Sequence, residues 1–355
     1  MKPTQPLKAR GAASNPTPRY DALASEPVDD GWAEPEPDPA PGTVVSQQPA
    51  KSIITENDSP DVPFDQSINP YRGCEHGCIY CFARPSHAWL GLSPGLDFET
   101  QIIAKPNAPT LLEAELRRRD YVCKPLAVGT NTDPYQPVEN RLAIMRGCLQ
   151  VMAAFGQPVQ ITTKSALVTR DIDILAPMAA RGLAAVMVSV TTLDRDLCRS
   201  LEPRAATPAK RLATIKALAE AGIPVTVSVA PVIPVITDHE LERILEAAAK
   251  AGAIGASTIL LRLPLEVKDL FAEWLELHAP GKAAHVLSLL RQSRDGKLNE
   301  ARFGKRMEGS GPFAELLAQR FRLACRKLGL GGRMAPLDCG QFRPPPRPGD
   351  QLRLF

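Results

Sequence analysis

Three of the chain's eight cysteines fall within one short stretch, Cys74-Glu75-His76-Gly77-Cys78-Ile79-Tyr80-Cys81. Thiolates this close in sequence converge on one metal centre, and iron–sulfur clusters are held by such cysteines. Three protein ligands leave one iron of a four-iron cluster open, and an open coordination position is what separates catalytic from structural metal sites. The same donors admit two plainer readings: a zinc site completed by His76 or a distant residue, and three ordinary thiols. His76 on its own reads as a polar loop residue. Cys123, Cys148, Cys198, Cys325 and Cys339 stand singly, which suits reduced thiols in a reducing compartment better than a disulfide framework.

The elements that must position this loop are legible as an alternation. Ser67 to Tyr71 reads as a first strand leading into the cysteines, and Phe82 to Leu90 as a short helix. Gln101 to Lys105 reads as an extra strand and Thr110 to Arg119 as a helix. Strands then recur at Leu126–Gly129, Val159–Thr162, Ala185–Val190, Val225–Val229 and Ile254–Leu261. Between them lie helical patterns: Leu142, Met145, Leu149 and Met152 before Gly156; a helix capped by Thr169; one starting at Thr207-Pro208; and one with Thr237-x-x-Glu240 as a capping box. About six βα units imply a parallel sheet with its reactive groups at the C-terminal strand ends. Beyond Leu261 the pattern turns helical over 264–277, 282–291 and 312–328.

The ends differ from this middle. Residues 1–60 hold 11 of the 35 prolines, as in Trp32-Ala33-Glu34-Pro35-Glu36-Pro37, with few large apolar residues. Such a composition predicts a disordered tail. Residues 281–355 carry 15 Lys and Arg against 6 Asp and Glu, although the whole chain has a net charge of only +3. The expected organisation is therefore a tail over 1–60, a catalytic α/β domain over 61–265 and a basic helical extension over 266–355. The chain has no apolar run of membrane-spanning length and its N-terminus lacks a signal-peptide core, which predicts a cytoplasmic protein without a membrane partner. A phosphate-binding P-loop and a G-x-G-x-x-G dinucleotide fingerprint are both missing from the sequence.

The C-x3-C-x2-C spacing with Tyr80 before the last cysteine resembles the signature of the radical S-adenosylmethionine (radical SAM) superfamily. Asp97-Phe98-Glu99, Ile103-Ala104-Lys105 and Gly129-Thr130-Asn131-Thr132-Asp133-Pro134-Tyr135-Gln136 further resemble its spore photoproduct lyase-like (DNA repair photolyase-like) subgroup. The resemblance spans roughly residues 65–265. It implies an incomplete (β/α)6 TIM-like barrel and a [4Fe-4S] cluster on Cys74, Cys78 and Cys81. The amino and carboxylate groups of SAM would then bind the open iron, with Tyr80 near the adenine. Thr130, Asn131 and Thr132 stand where many relatives place a Gly-Gly-Glu for the SAM amino group. Lys164 resembles a lysine that contacts SAM, Ser189 matches a hydroxyl near the ribose, and Glu202 and Arg204 are candidates for ribose and carboxylate contacts. The implied chemistry is reductive cleavage of SAM, fed by an external one-electron reductant of the flavodoxin or ferredoxin type. A 5′-deoxyadenosyl radical then abstracts hydrogen from a substrate.

Plainer roles stand beside these. Lys164 could be a solvated strand-end residue, Ser189 and Thr191 could satisfy local backbone groups, and Glu202 could pair with Arg204 at the surface. The lyases' hydrogen-returning cysteine is replaced by Thr130 at the nearest position, and Cys123 lies upstream of the strand. Thymine-dimer repair therefore does not transfer. Nucleic acid is one candidate substrate, through the basic C-terminal region, and a protein or small molecule are the others. The competing class is a non-catalytic module, either a zinc-stabilised nucleic-acid-binding protein or an iron–sulfur electron carrier.

Overall fold

The computed structural model describes residues 5–21, 42–331 and 336–346. The stretch around Trp32 lies outside the described residues. The strands are β1 (Val44–Gln47), β2 (Ile54–Glu56), β3 (Gln66–Ile68), β4 (Tyr71–Arg72), β5 (Gln101–Ala104), β6 (Leu126–Val128), β7 (Val159–Thr163), β8 (Ala184–Ser189), β9 (Val225–Val232) and β10 (Gly255–Leu260). The main sheet has the order β10-β9-β8-β7-β6-β3-β2, parallel from β3 to β10, with β2 antiparallel at one edge. Its two edges do not meet, so the fold is an α/β partial barrel. A small second sheet, β1-β5-β4, flanks the cysteine loop.

The helices are α1 (Asp97–Thr100), α2 (Ala108–Leu116), α3 (Glu139–Leu142), α4 (Ile144–Phe155), α5 (Ile172–Ala180), α6 (Arg195–Leu201), α7 (Pro208–Glu220), α8 (Leu241–Lys250), α9 (Val267–His278), α10 (Pro280–Gln292) and α11 (Pro312–Leu328). Thr207 caps α7 through the Lys210 amide, with Pro208 in the first turn. Two cap expectations fail. Thr169 lies inside a 3-10 turn and bonds back to the Ala166 carbonyl. Thr237 accepts from the Ile233 amide, while Glu240 reaches across to Thr192 and the Leu193 amide. A tertiary acceptor role for Glu240 outweighs the local reciprocal bond. No described helix is long and apolar enough to cross a membrane.

Residues paired across parallel strands share a face. On the outer face, Leu126, Val128, Val159, Ile161, Val186, Val188, Val225 and Val227 join the main core beneath the helices. The inner face is different in kind. The registers place Ser67, Ala127 and Gln160 on one rung, Thr162, Met187, Thr226 and Gly255 on the next, and Ser189, Ser228 and Ser257 above them. A closed barrel fills its interior with bulky branched side chains. These small and polar side chains leave the lumen open.

Both ends depart from expectation. The described parts of 1–60 are packed, not disordered: Arg10, Gly11, Ala12 and Ile53 are buried, and β1 pairs with β5. Their anchors are polar. Glu115 accepts from the Ile53 and Ile54 amides, and Asn107 exchanges two hydrogen bonds with Ala50. At the other end, α9 and α10 share an apolar cluster with Ile79 and Tyr80, and α11 joins the main core through Ala314, Leu317 and Ala324. Three of the C-terminal arginines are engaged within the fold. Arg294 donates to the Leu260 and Leu261 carbonyls, Arg306 pairs with Asp61, and Arg320 pairs with Glu242.

Candidate active site

The cysteine loop leaves β4 and turns back on itself at the C-terminal ends of the strands. Gly77 sits at φ +66°, and a Cβ there would come within 2.3 Å of the Glu99 carboxylate, so only glycine lets the loop close. The Cys74 amide donates to the Phe98 carbonyl at 2.9 Å and the Ile79 amide to the Leu201 carbonyl at 3.0 Å, which ties the loop to both sides of the fold. Arg84, fully buried, is its hub. The guanidinium donates to the Gly77, Cys78, Pro94 and Gly95 carbonyls and to Glu99 at 3.0 Å. Glu99 also accepts from the Gly11 and Ala12 amides, each at 2.9 Å. Gly11 approaches so closely that a Cβ would lie 1.8 Å from the Gly77 carbonyl oxygen. A strap formed by residues 10–19 thus covers the outer side of the loop.

The stretch after β6 holds the inner side. Thr132 donates to the Gly73 carbonyl at 2.6 Å and Gln136 to the same oxygen at 3.3 Å. Asn69 donates to Thr130 and accepts from the Asn131 amide. Asp133, buried, accepts from Thr163 and from the Lys164 amide, and lies 3.3 Å from His76 Nδ1. Burial alone would push the His76 imidazole down, but Asp133 and Cys74 together push it up to about 10. Asp133 and Cys74 thus both favour the protonated imidazole.

All three thiols are free. Burial pushes Cys78 well above the usual thiol range, reinforced by Glu202 and opposed by Lys164, and burial also raises Cys81. Cys78 and Cys81 each feel the other two sulfurs or Cys74 as near neighbours. Tyr80 lies between the loop and the strand ends. Its hydroxyl donates to Glu202 and contacts Thr191 Oγ1 at 3.2 Å, and Lys164 Nζ stands 5.8 Å from its ring centroid. Lys164 Nζ also donates to Ser189 Oγ at 3.0 Å. Glu202 accepts from Thr191 through Oε1 and pairs with Arg211 through Oε2.

Tyr80, Lys164, Ser189 and Thr191 are thus brought together beside Cys78, and Thr130 to Thr132 line the loop's inner side. Glu202 and Arg204 do not pair with each other. Glu202 is engaged by Tyr80, Thr191 and Arg211, whereas Arg204 binds Glu75 at 3.2 Å and Thr43 at 3.2 Å. Reasoning from the sequence missed Arg84, Arg211, the His76–Asp133 pair and the strap. Glu99 fell inside a noted motif, but no sequence signal pointed to its buried ion pair.

The donor set, three free thiols on one loop, is of the kind that holds an iron–sulfur cluster. Among the described residues no three His, Cys, Asp or Glu side chains close on one point as a metal ion requires, and zinc would hold its sulfurs at about 2.3 Å. A four-iron cluster asks each thiolate to reach a different iron. His76, the fourth donor of the zinc reading, has its Nδ1 3.3 Å from Asp133.

Comparison with known proteins gives the family and the fold. The model of the radical SAM superfamily matches residues 68–248. An uncharacterised protein of Mycobacterium tuberculosis is 41% identical over 233 residues, covering 65% of this chain and 68% of its own length. One of Methanocaldococcus jannaschii is 27% identical over 173 residues, 49% of this chain and 62% of its own length. Among solved structures, spore photoproduct lyase complexed with dinucleoside spore photoproduct superposes with a TM-score of 0.59 at 16% identity, covering 80% of this chain and 79% of that one. A variant of that lyase with bound AdoMet and the same dinucleoside gives 0.56 at 16% identity over 81% and 79%. These two likenesses show the fold.

Proposed function

The chain belongs to the radical SAM superfamily, and from that premise we propose that it is an enzyme holding a [4Fe-4S] cluster on Cys74, Cys78 and Cys81 with SAM on the remaining iron. When bound, the pair supplies one-electron reductive cleavage of SAM and, through it, hydrogen abstraction from a substrate. One observation carries the reading: three free thiols share a loop with Tyr80, and Lys164 and Ser189 stand beside that tyrosine from the strand ends.

The chain's own residues divide the work. Arg84 and Glu99 fix the loop backbone, and the His76 imidazolium lies against Cys74, where its charge offsets that of a thiolate. Lys164 and Ser189 offer an ammonium and a hydroxyl to the SAM carboxylate and ribose, and Thr130, Asn131 and Thr132 border the same space. Glu202 acts through Tyr80 and Thr191 as a positioning residue, and Arg204 does so through Glu75. The loop's burial keeps water from the sulfurs. An external one-electron reductant of the flavodoxin or ferredoxin type completes the system, and the substrate is received in the open lumen.

Anaerobic reconstitution followed by dithionite and SAM tests the proposal. The expected result is brown protein with about four irons that forms 5′-deoxyadenosine. Brown protein that leaves SAM intact would make it an electron carrier, and colourless protein containing zinc would return the structural reading.

A further inference from the structure

The lumen has a second end. Against the N-terminal halves of β7 to β10, away from the cysteine loop, it opens into a cavity of about 630 Å³ walled on its other side by α11. That volume lies inside the roughly 300–1,000 Å³ typical of small-molecule sites. Arg322 and Arg326, one helical turn apart, both line it and both are exposed. Neither has a hydrogen-bond or ion-pair partner among the described residues, unlike Arg294, Arg302, Arg306 and Arg320 on the same side of the molecule. Among the described residues no carboxylate lines the cavity.

A second observation points the same way from the opposite wall. Thr226 faces the cavity and is 9% exposed, and its Oγ1 is a buried polar atom with no partner. Buried hydroxyls normally have one. Two rungs of the lumen bring Ser257 alongside, and its hydroxyl reaches only the Met187 sulfur at 3.8 Å, a weak acceptor. Phe321 and Met187 also line the cavity and give it an apolar part. The wall is rigid: Arg320 clamps α11 to Glu242 of α8, and Gly331 bridges to Gly255 at the start of β10.

We propose that this cavity binds a small organic oxyanion, a carboxylate or phosphate group held by Arg322 and Arg326, with its apolar body against Phe321 and Met187. Guanidinium groups match planar oxyanions with paired donors, and the Thr226 and Ser257 hydroxyls supply the hydrogen bonds that fix orientation. The site is separate from the cysteine loop and does not depend on the cluster.

Calorimetric titration of the full-length protein with phenyl phosphate, benzoate and benzyl alcohol tests this. At least one anion should bind saturably at one site per chain and the alcohol should not, and which anion binds identifies the head group as phosphate or carboxylate. Replacing both arginines (Arg322→Gln with Arg326→Gln) should weaken binding at least about tenfold. Thr226→Val should weaken it severalfold, and both variants should keep the wild-type iron content and thermal midpoint. Dissociation constants above about 10 mM for both anions, equal binding of benzyl alcohol, or undiminished affinity in the double-arginine variant would overturn the proposal.

Discussion

Arg84 and Glu99 meet where no solvent reaches, and the pair is tolerable because nearly every polar atom around it is used: four carbonyls accept from the guanidinium and two amides donate to the carboxylate. Removing one member leaves the other charge buried and unpaired, which costs about 3–5 kcal/mol. Glu99→Gln should therefore lower the urea midpoint by that equivalent, and an unchanged midpoint would show that the pair is not what holds the loop. At the sulfurs, Cys78→Ala should abolish iron binding while leaving the far-ultraviolet circular dichroism near wild type, because Cys78 ties down no element. Normal iron content in that variant would remove it from the ligand set. Lys164→Ala should keep the cluster but weaken SAM binding by about tenfold, the scale of one hydrogen bond to a charged group, as measured by titration of the reconstituted protein.

At the scale of elements, the strap over the cysteine loop is the piece whose role is most open to test. A chain lacking residues 1–21 deprives Glu99 of the Gly11 and Ala12 amides and uncovers Gly77. Its cluster should bleach in air severalfold faster than that of the full chain, followed by loss of visible absorbance, and equal decay rates would make the strap irrelevant to cluster protection. The strap also shows what sequence could and could not reveal. The βα alternation was legible because each strand carries a short apolar run and each helix a periodic one, and those patterns survive into the sheet from β3 to β10. The strap and β1 were not: side-chain-to-backbone hydrogen bonds hold the strap and a backbone ladder to β5 holds β1, neither with an apolar pattern, and a proline-rich composition conceals such anchors. Glu240 failed as a cap for a related reason: an acceptor needed by the loop after β8 took the side chain that the local motif offered.

For the whole molecule, the decisive property is a sheet that stays open and a lumen that stays polar. Six parallel strands carry their apolar residues outward, so the interior is free to hold reactants, and the cysteine loop closes only one end of it. The three clustered cysteines were legible from spacing alone. The assembly around them, Arg84, Glu99, His76 with Asp133, and Arg211 with Glu202, draws on residues from distant parts of the chain and required the fold. In the basic C-terminal stretch, Arg294, Arg306 and Arg320 are engaged by partners within the fold and Arg302 pairs at the surface, whereas Arg322 and Arg326 stay exposed. The account as a whole stands on SAM reaching an iron that no protein side chain occupies. Electron paramagnetic resonance of the dithionite-reduced protein, with and without SAM, reads that contact directly. A cluster signal that shifts on adding SAM in the wild type, and is lost in Cys78→Ala, is the predicted result; a reduced-cluster signal indifferent to saturating SAM would contradict it.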